Sequence, residues 1–227
     1  MNKSNDNSLD IQRELQKLGY WNNIYSKNDY FGTGPTKLAN TAYEILKKFS
    51  LKNILELGCG QGRDSIFFAK NNFNVTALDI SENAIRYVEN IKHQQNLDNL
   101  KLSIHNLDDP LNTDQKFDLI YSNLALQFFD LIKLGKIFSN ISSLMTENSF
   151  FLFSTKRPGD KYHNFGTKIS NHAFEYKGIT RFFFEKSELE KLLSEYFVVE
   201  IFETEQHVNL DKSVSVWWKI LLKLPSL

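Results

Sequence analysis

The chain lacks a second cysteine, so its one thiol, Cys59, has no internal disulfide partner and no companion that would suggest a metal cluster. A reducing compartment is therefore expected, and no metal site is. It lacks an excess of either charge. Lysine and arginine total 27 against 27 for aspartate and glutamate, so no overall field draws the chain to a polyanion, and no nucleic-acid partner is expected. It lacks an apolar leader: the first residues, MNKSNDNSLDIQRELQ, are polar, unlike a secretory signal, and the expected location is cytoplasmic. It also lacks the roughly 20-residue apolar run that crosses a bilayer. The nearest approach, VSVWWKILLKL, is broken by Lys219 and Lys223. A segment lying on a membrane is one reading of it; the alternation of β-branched and aromatic residues favours a buried strand.

What is present is a chain of 227 residues, long enough to bury a full core as one large domain, without repeats or low-complexity segments. Leu9, Leu15, Leu18, Trp21, Ile24 and Tyr25 mark an amphipathic helix with aromatics at its far end. A turn-rich stretch, KNDYFGTGPTK, leads to a second helix from about Thr36 to Phe49. From there short apolar strands alternate with helical stretches. NILEL, NVTALDI, KLSIHNL, KFDLIYSNL and NSFFLFSTK read as strands, and Ser81 is a good N-cap for the helix ENAIRYVENIKHQQN. Strands joined by helices at this spacing imply a parallel sheet with helices on both faces. FVVEIFETEQHV and VSVWWKILLKL, separated by NLDKS, fit an antiparallel hairpin at the end of that sheet. The expected fold is thus α/β: a doubly wound, Rossmann-like, mostly parallel sheet of seven strands with a C-terminal hairpin. Residues 1–35 are expected to form a helical lid on the domain built by 36–227.

The segment NILELGCGQGRDSIFFA carries the chemistry. Ligands of open parallel sheets bind beyond the carboxyl ends of the strands, which is where the turn after the first strand lies. Gly58, Gly60 and Gly62 suit backbone that must approach a ligand or take positive φ. A dinucleotide turn wants G-x-G-x-x-G, but Arg63 stands at its third glycine. Glu56 precedes the turn inside the strand. Asp79 ends the next strand, where a carboxylate can accept both hydroxyls of a ribose. The residues alone leave a nicotinamide cofactor in play.

ILELGCGQGRDSIFFA with VTALDIS resembles the first two motifs of the class I S-adenosylmethionine-dependent methyltransferases, and HNLDDPLNTDQKFDLIYSNLALQFF resembles the third- and fourth-strand region of that superfamily. Within it, GCGQGRDS and ENIKHQQNLDNLKL look most like the small tellurite-resistance and thiopurine methyltransferases. The resemblance spans about residues 20 to 155. It implies S-adenosyl-L-methionine as cofactor, held by the glycine turn with Cys59 and by Asp79 and Ile80, and an acceptor approaching near Ser122, Asn123 and Leu124. Asn106 falls where the family often has an aspartate that accepts from the adenine amino group; an asparagine carbonyl can also accept, and the Leu107 amide can serve a ring nitrogen. No N-P-P-Y or D-P-P-Y stands at the end of the fourth strand, which argues against methylation of amino groups in nucleic acid or of glutamine.

Each residue also has a plainer role. Glu56 can meet the methionine amino group or brace the glycine loop. Arg63 can pair with the methionine carboxylate or lie along its helix. Cys59 fills a small space, and Asp64 favours the positive end of a helix dipole. Trp21, Tyr25, Tyr30 and Phe31 can lid the cofactor by cation–π attraction or simply pack a helix. Lys156, Arg157, Lys161, His163, His172 and Arg181 can hold an anion or move a proton, with His172 and Arg181 the catalytic candidates. The expected activity is methyl transfer to a small-molecule acceptor through O, S or N or to a chalcogen oxyanion. The alternatives are a non-catalytic module that keeps the cofactor pocket, or an NAD-dependent oxidoreductase, which Arg63 disfavours.

Overall fold

The computed structural model describes residues 15–27, 30, 32 and 34–225. Residues 15–24 are helical (α1); the start expected at Leu9 lies outside the described residues, as does Phe31. The chain continues with α2 (Lys37–Lys48), β1 (Asn53–Leu57), α3 (Arg63–Lys70), β2 (Asn74–Asp79), α4 (Glu82–Gln95), β3 (Leu100–Ile104) and β4 (Leu119–Asn123). A 3₁₀ turn (Leu126–Phe128) precedes α5 (Leu131–Ser143) and β5 (Phe150–Lys156). It closes with β6 (Thr167–Ser170), β7 (Ala173–Tyr176), β8 (Ile179–Phe182), α6 (Lys186–Leu193), β9 (Val198–Val208) and β10 (Val214–Lys223).

The main sheet has seven strands in the order β3-β2-β1-β4-β5-β10-β9. The first five run parallel, and β10 is antiparallel to both β5 and β9. This is the expected doubly wound sheet with its C-terminal hairpin. Strand periodicity divides the core into two layers. On one face Leu55, Ile120, Phe151 and Phe153 meet Leu134, Ile137 and Phe138 of α5 and Leu189 and Leu193 of α6. On the other, Ile54, Val75, Leu119 and Tyr121 meet Leu38 and Leu46 of α2, Phe68 of α3 and Val88 of α4. Each large side chain so buried contributes about 1.5–3 kcal/mol.

The helix starts obey their caps. The Thr36 hydroxyl accepts from the Ala39 amide, and the Ser81 hydroxyl from that of Ala84. The sequence carries no expectation of the separate three-stranded antiparallel sheet, β6-β7-β8, between β5 and α6. Every residue of β6 is exposed, so no alternation marks it. Only RFFFEKSELEKLL is legible from the sequence, as a strand or turn with core phenylalanines that enters a helix; it leads into α6, and Phe183 and Phe184 are buried there.

Candidate active site at the carboxyl edge of the sheet

Beyond the carboxyl ends of the parallel strands lies a cavity of about 530 Å³. Its residues come from the ends of β1, β2, β3, β4 and β5, from α1 above, and from β8 of the small sheet. Gly58, Gly60 and Gly62 all take positive φ, at 73°, 52° and 71°. A Cβ on Gly58 would collide with that of Ala125, and one on Gly62 would stand 2.7 Å from both γ-methyls of Val88. The turn can therefore be built only from glycine at these two points, which seats the start of α3 against α4 and β1 against the turn after β4.

Three carboxylates border this end of the cavity, each already engaged. Asp79 accepts from the amides of Gly60 and Ser81, both at 2.8 Å, one to each oxygen. The carboxylate keeps acceptor capacity beyond these two bonds. Burial raises the Asp79 pKa, and hydrogen bonds from the Ser81, Gly60 and Ile80 amides oppose the rise. Asp64 accepts from the amide and hydroxyl of Thr36 and from the Tyr121 hydroxyl at 2.6 Å. Its place is thus a clamp on the α2 cap, more than the dipole position expected. Glu56 accepts from the Ser65 hydroxyl, the bracing role, and burial beside Asp64 raises its pKa well above the ordinary range. Arg63 donates its Nε to the Gly34 carbonyl while lining the cavity. Cys59 is buried, and burial pushes its thiol pKa up.

Helix α1 lies over this end. The Trp21 and Tyr25 rings stack at 5.7 Å, and Trp21 meets Phe128 edge to face at 5.0 Å. Tyr25 reaches over Gly60, and burial and nearby Asp79 raise its pKa. Asn22 fixes the helix to the start of α4: its Oδ1 accepts from the Ser81 hydroxyl at 2.7 Å, and its carbonyl accepts from Asn83 Nδ2. Ile80, Asn106 and Leu107 line the wall after β2 and β3. The Asn106 Oδ1 already accepts from the Asp108 amide at 3.2 Å, leaving one lone pair for another donor.

The other end is built after β4 and β5. Asn123 and Leu124 line it, with the Ser154 hydroxyl donating to Asn123 Oδ1 and accepting from the Leu124 amide. Ser122 is turned away and donates to the Leu57 carbonyl. Lys156 Nζ lies 2.5 Å from Asp160 Oδ2; burial lowers its pKa and the carboxylate opposes that. Lys161 and Arg181 complete this wall.

Three of the six basic residues expected here are elsewhere, including one catalytic candidate. His172 does not line the cavity: it sits before β7 with Nδ1 3.9 Å from Glu188 Oε2, because the three-stranded sheet aims β8, and not the turn before β7, at the site. His163 packs edge to face on Phe174 and Phe183, and Arg157 stacks over Trp218 while donating to the Thr204 hydroxyl. Arg181 does face the cavity. Gln127 and Tyr162 also line it without having been singled out. A lone polar residue inside the apolar run LALQFF is the signal that marks Gln127.

A glycine turn, an acidic strand end and an open cavity stand together at one sheet edge. The family described as Tellurite resistance protein TehB matches residues 23–203. The chain belongs to the TehB family. A probable S-adenosyl-L-methionine-dependent methyltransferase TehB of Haemophilus influenzae is 28% identical over 117 residues, covering 51% of this chain and 40% of that protein. The chain thus spans less than half the length of that relative. The crystal structure of TehB from Haemophilus influenzae superposes with a TM-score of 0.64 at 18% identity, over 82% of this chain and 62% of that one. A methyltransferase structure from Clostridium acetobutylicum gives 0.70 at 18% identity, over 92% and 99%. Gln127, Lys156 and Arg181 all fall inside the span matched to TehB.

Proposed function

We infer that the chain is a methyltransferase that uses S-adenosyl-L-methionine on a small-molecule acceptor. The observation that carries the reading is the single cavity that runs from Asp79 and the glycine turn to the turn after β4, under a helix that leaves it open. Residues at the first end suit the cofactor. Asp79 is suited to accept from a ribose hydroxyl, the glycines let backbone approach closely, and Asn106 and Leu107 line a wall suited to an adenine. Asp64 and Asp79 are carboxylates suited to a cationic ligand. Tyr25 and Trp21 add aromatic faces suited to a sulfonium.

When bound, the cofactor supplies a methyl carbon already activated by its sulfonium. The chain's own task is alignment. Asn123, Leu124 and Gln127 flank the place where an acceptor approaches in line, and approximation of this kind is worth about 7–11 kcal/mol. A thiolate or oxyanion acceptor needs no general base, which agrees with the absence of His172 from the cavity wall.

The open cavity beneath Trp21 supports an enzyme over a non-catalytic module, for which that helix would plug the site. We propose that residues 1–35, of which 15–27, 30, 32, 34 and 35 are among the described residues, cap the cofactor-binding domain of 36–227. Among the described residues no helix is long and apolar enough to cross a membrane, and the lone cysteine fits a reducing compartment; we place the protein in the cytosol. Calorimetric titration with S-adenosylhomocysteine and with NADH tests the reading. Binding of the first alone is expected, and binding of NADH alone would overturn it. A methyl-transfer screen over thiols, phenols, amines and chalcogen oxyanions then identifies the acceptor atom.

A further inference from the structure

The chain is neutral overall, and its cavity wall carries groups of both signs. The acidic side chains, Glu56, Asp64 and Asp79, stand at β1, α3 and β2, with Arg63 among them. Lys156 and Arg181, with Lys161 beside them, stand after β5 and on β8. The sheet order puts β4 between these groups, so the turn that carries Gln127 sits at their junction.

Within the basic wall the cations are matched unequally. Lys156 is paired with Asp160, whose oxygens also accept from the amides of Val216 at 2.9 Å and Tyr162 at 3.0 Å. Arg181 has no carboxylate within ion-pair distance among the described residues. Its guanidinium carbon lies 5.1 Å from the Tyr162 ring centroid and 5.6 Å from that of Phe128. These ring contacts are not hydrogen bonds, and among the described residues no side chain or carbonyl takes the N–H donors of Arg181, the fork that matches a carboxylate. Beside Phe128 in the chain, Gln127 is only 4% exposed, and its Oε1 is buried without a hydrogen-bond partner. A buried carbonyl in this state lacks a donor, and a ligand that brings one removes the deficit.

We propose that the acceptor is a small organic acid: its carboxylate binds the edge of Arg181, and its nucleophilic O–H, N–H or S–H donates to Gln127. This rests on the methyltransferase reading and assigns Arg181 to binding rather than to proton transfer. Methyl transfer then forms a bond between the acceptor heteroatom and the methyl carbon. The electron pair of the broken carbon–sulfur bond stays on sulfur, and the heteroatom's proton leaves to water. Aromatic acids suit the wall best, because Trp21, Phe128 and Tyr162 supply ring faces there.

The test uses the full chain saturated with S-adenosylhomocysteine and a calorimetric titration of matched probes. These are 4-hydroxybenzoate with 4-hydroxybenzamide, 2-aminobenzoate with 2-aminobenzamide, 2-mercaptobenzoate with its amide, and lactate with lactamide. At least one acid is expected to bind about tenfold or more tightly than its amide. Arg181→Gln should erase that preference while leaving S-adenosylhomocysteine affinity unchanged, and Arg181→Lys should keep part of it. Gln127→Met should erase the preference of the site for a hydroxy acid over its methyl ether. If no acid in the wild-type chain outbinds its amide, or if the preference survives Arg181→Gln, the proposal fails while the methyltransferase reading stands. If S-adenosylhomocysteine itself does not bind, both fall.

Discussion

The two ends of the cavity are made in different ways. The end at β1 and β2 is local: residues 53–81 supply the glycine turn, Glu56, Asp64 and Asp79, and the carboxylates are satisfied by backbone amides and hydroxyls close by in the fold. The end at β4 and β5 is assembled from Gln127, Lys156 and Arg181, brought together from distant parts of the chain. Its polar groups are less complete, with Gln127 Oε1 lacking a partner. A site whose groups already satisfy one another is fixed before its ligand arrives, whereas a site with open valences is defined by what enters it.

Substitution in the local end should do the greatest damage. Gly58→Ala places a Cβ against that of Ala125 in a left-handed backbone and should destabilise the fold by about 2–4 kcal/mol in chemical denaturation. At Gly60 the added Cβ meets only the tip of Tyr25, so Gly60→Ala should cost less. Equal losses at the two glycines would show that close packing against the β4 turn does not set the requirement.

Next in size, Asp79→Ala should weaken S-adenosylhomocysteine binding by about 1–3 kcal/mol by calorimetry. Unchanged affinity would remove Asp79 from the ribose. Thr36→Ala loses both the α2 cap and a donor to Asp64 and should lower stability by about 1 kcal/mol. The effect should appear in denaturation midpoints and leave ligand affinity nearly unchanged.

Smallest near pH 5 is the effect of Glu56→Gln. Burial raises the Glu56 pKa in the folded chain, while the unfolded carboxyl titrates near about 4.3. Above that pH the unfolded state releases a proton that the native state retains, so the wild-type chain loses stability as pH rises toward the folded pKa. The glutamine variant has no such term. Its stability relative to wild type should therefore grow from pH 5 to pH 8 in thermal unfolding, and a constant difference would mean that Glu56 titrates normally.

The same contrast explains what could be read from the sequence. Short apolar runs alternating with helical stretches, the cap Ser81 and the paired C-terminal runs foretell the seven strands and most helices, because strands buried on both faces read as continuous apolar segments. The glycine turn is legible because its function lies in consecutive backbone. Strand β6 is short, polar and exposed, so nothing in TKIS sets it apart from a loop. With the small sheet unseen, His172 and Arg181 look equivalent, and only the aim of β8 separates them. Gln127 is conspicuous in its apolar run, but its missing partner is a property of the folded chain.

The most direct test of the division is one set of titrations with S-adenosylhomocysteine, comparing wild type, Asp79→Ala and Arg181→Gln. A cavity with separate donor and acceptor ends predicts an affinity loss of about 1–3 kcal/mol for Asp79→Ala and none for Arg181→Gln. Equal losses in the two variants, or a loss confined to Arg181→Gln, would contradict it.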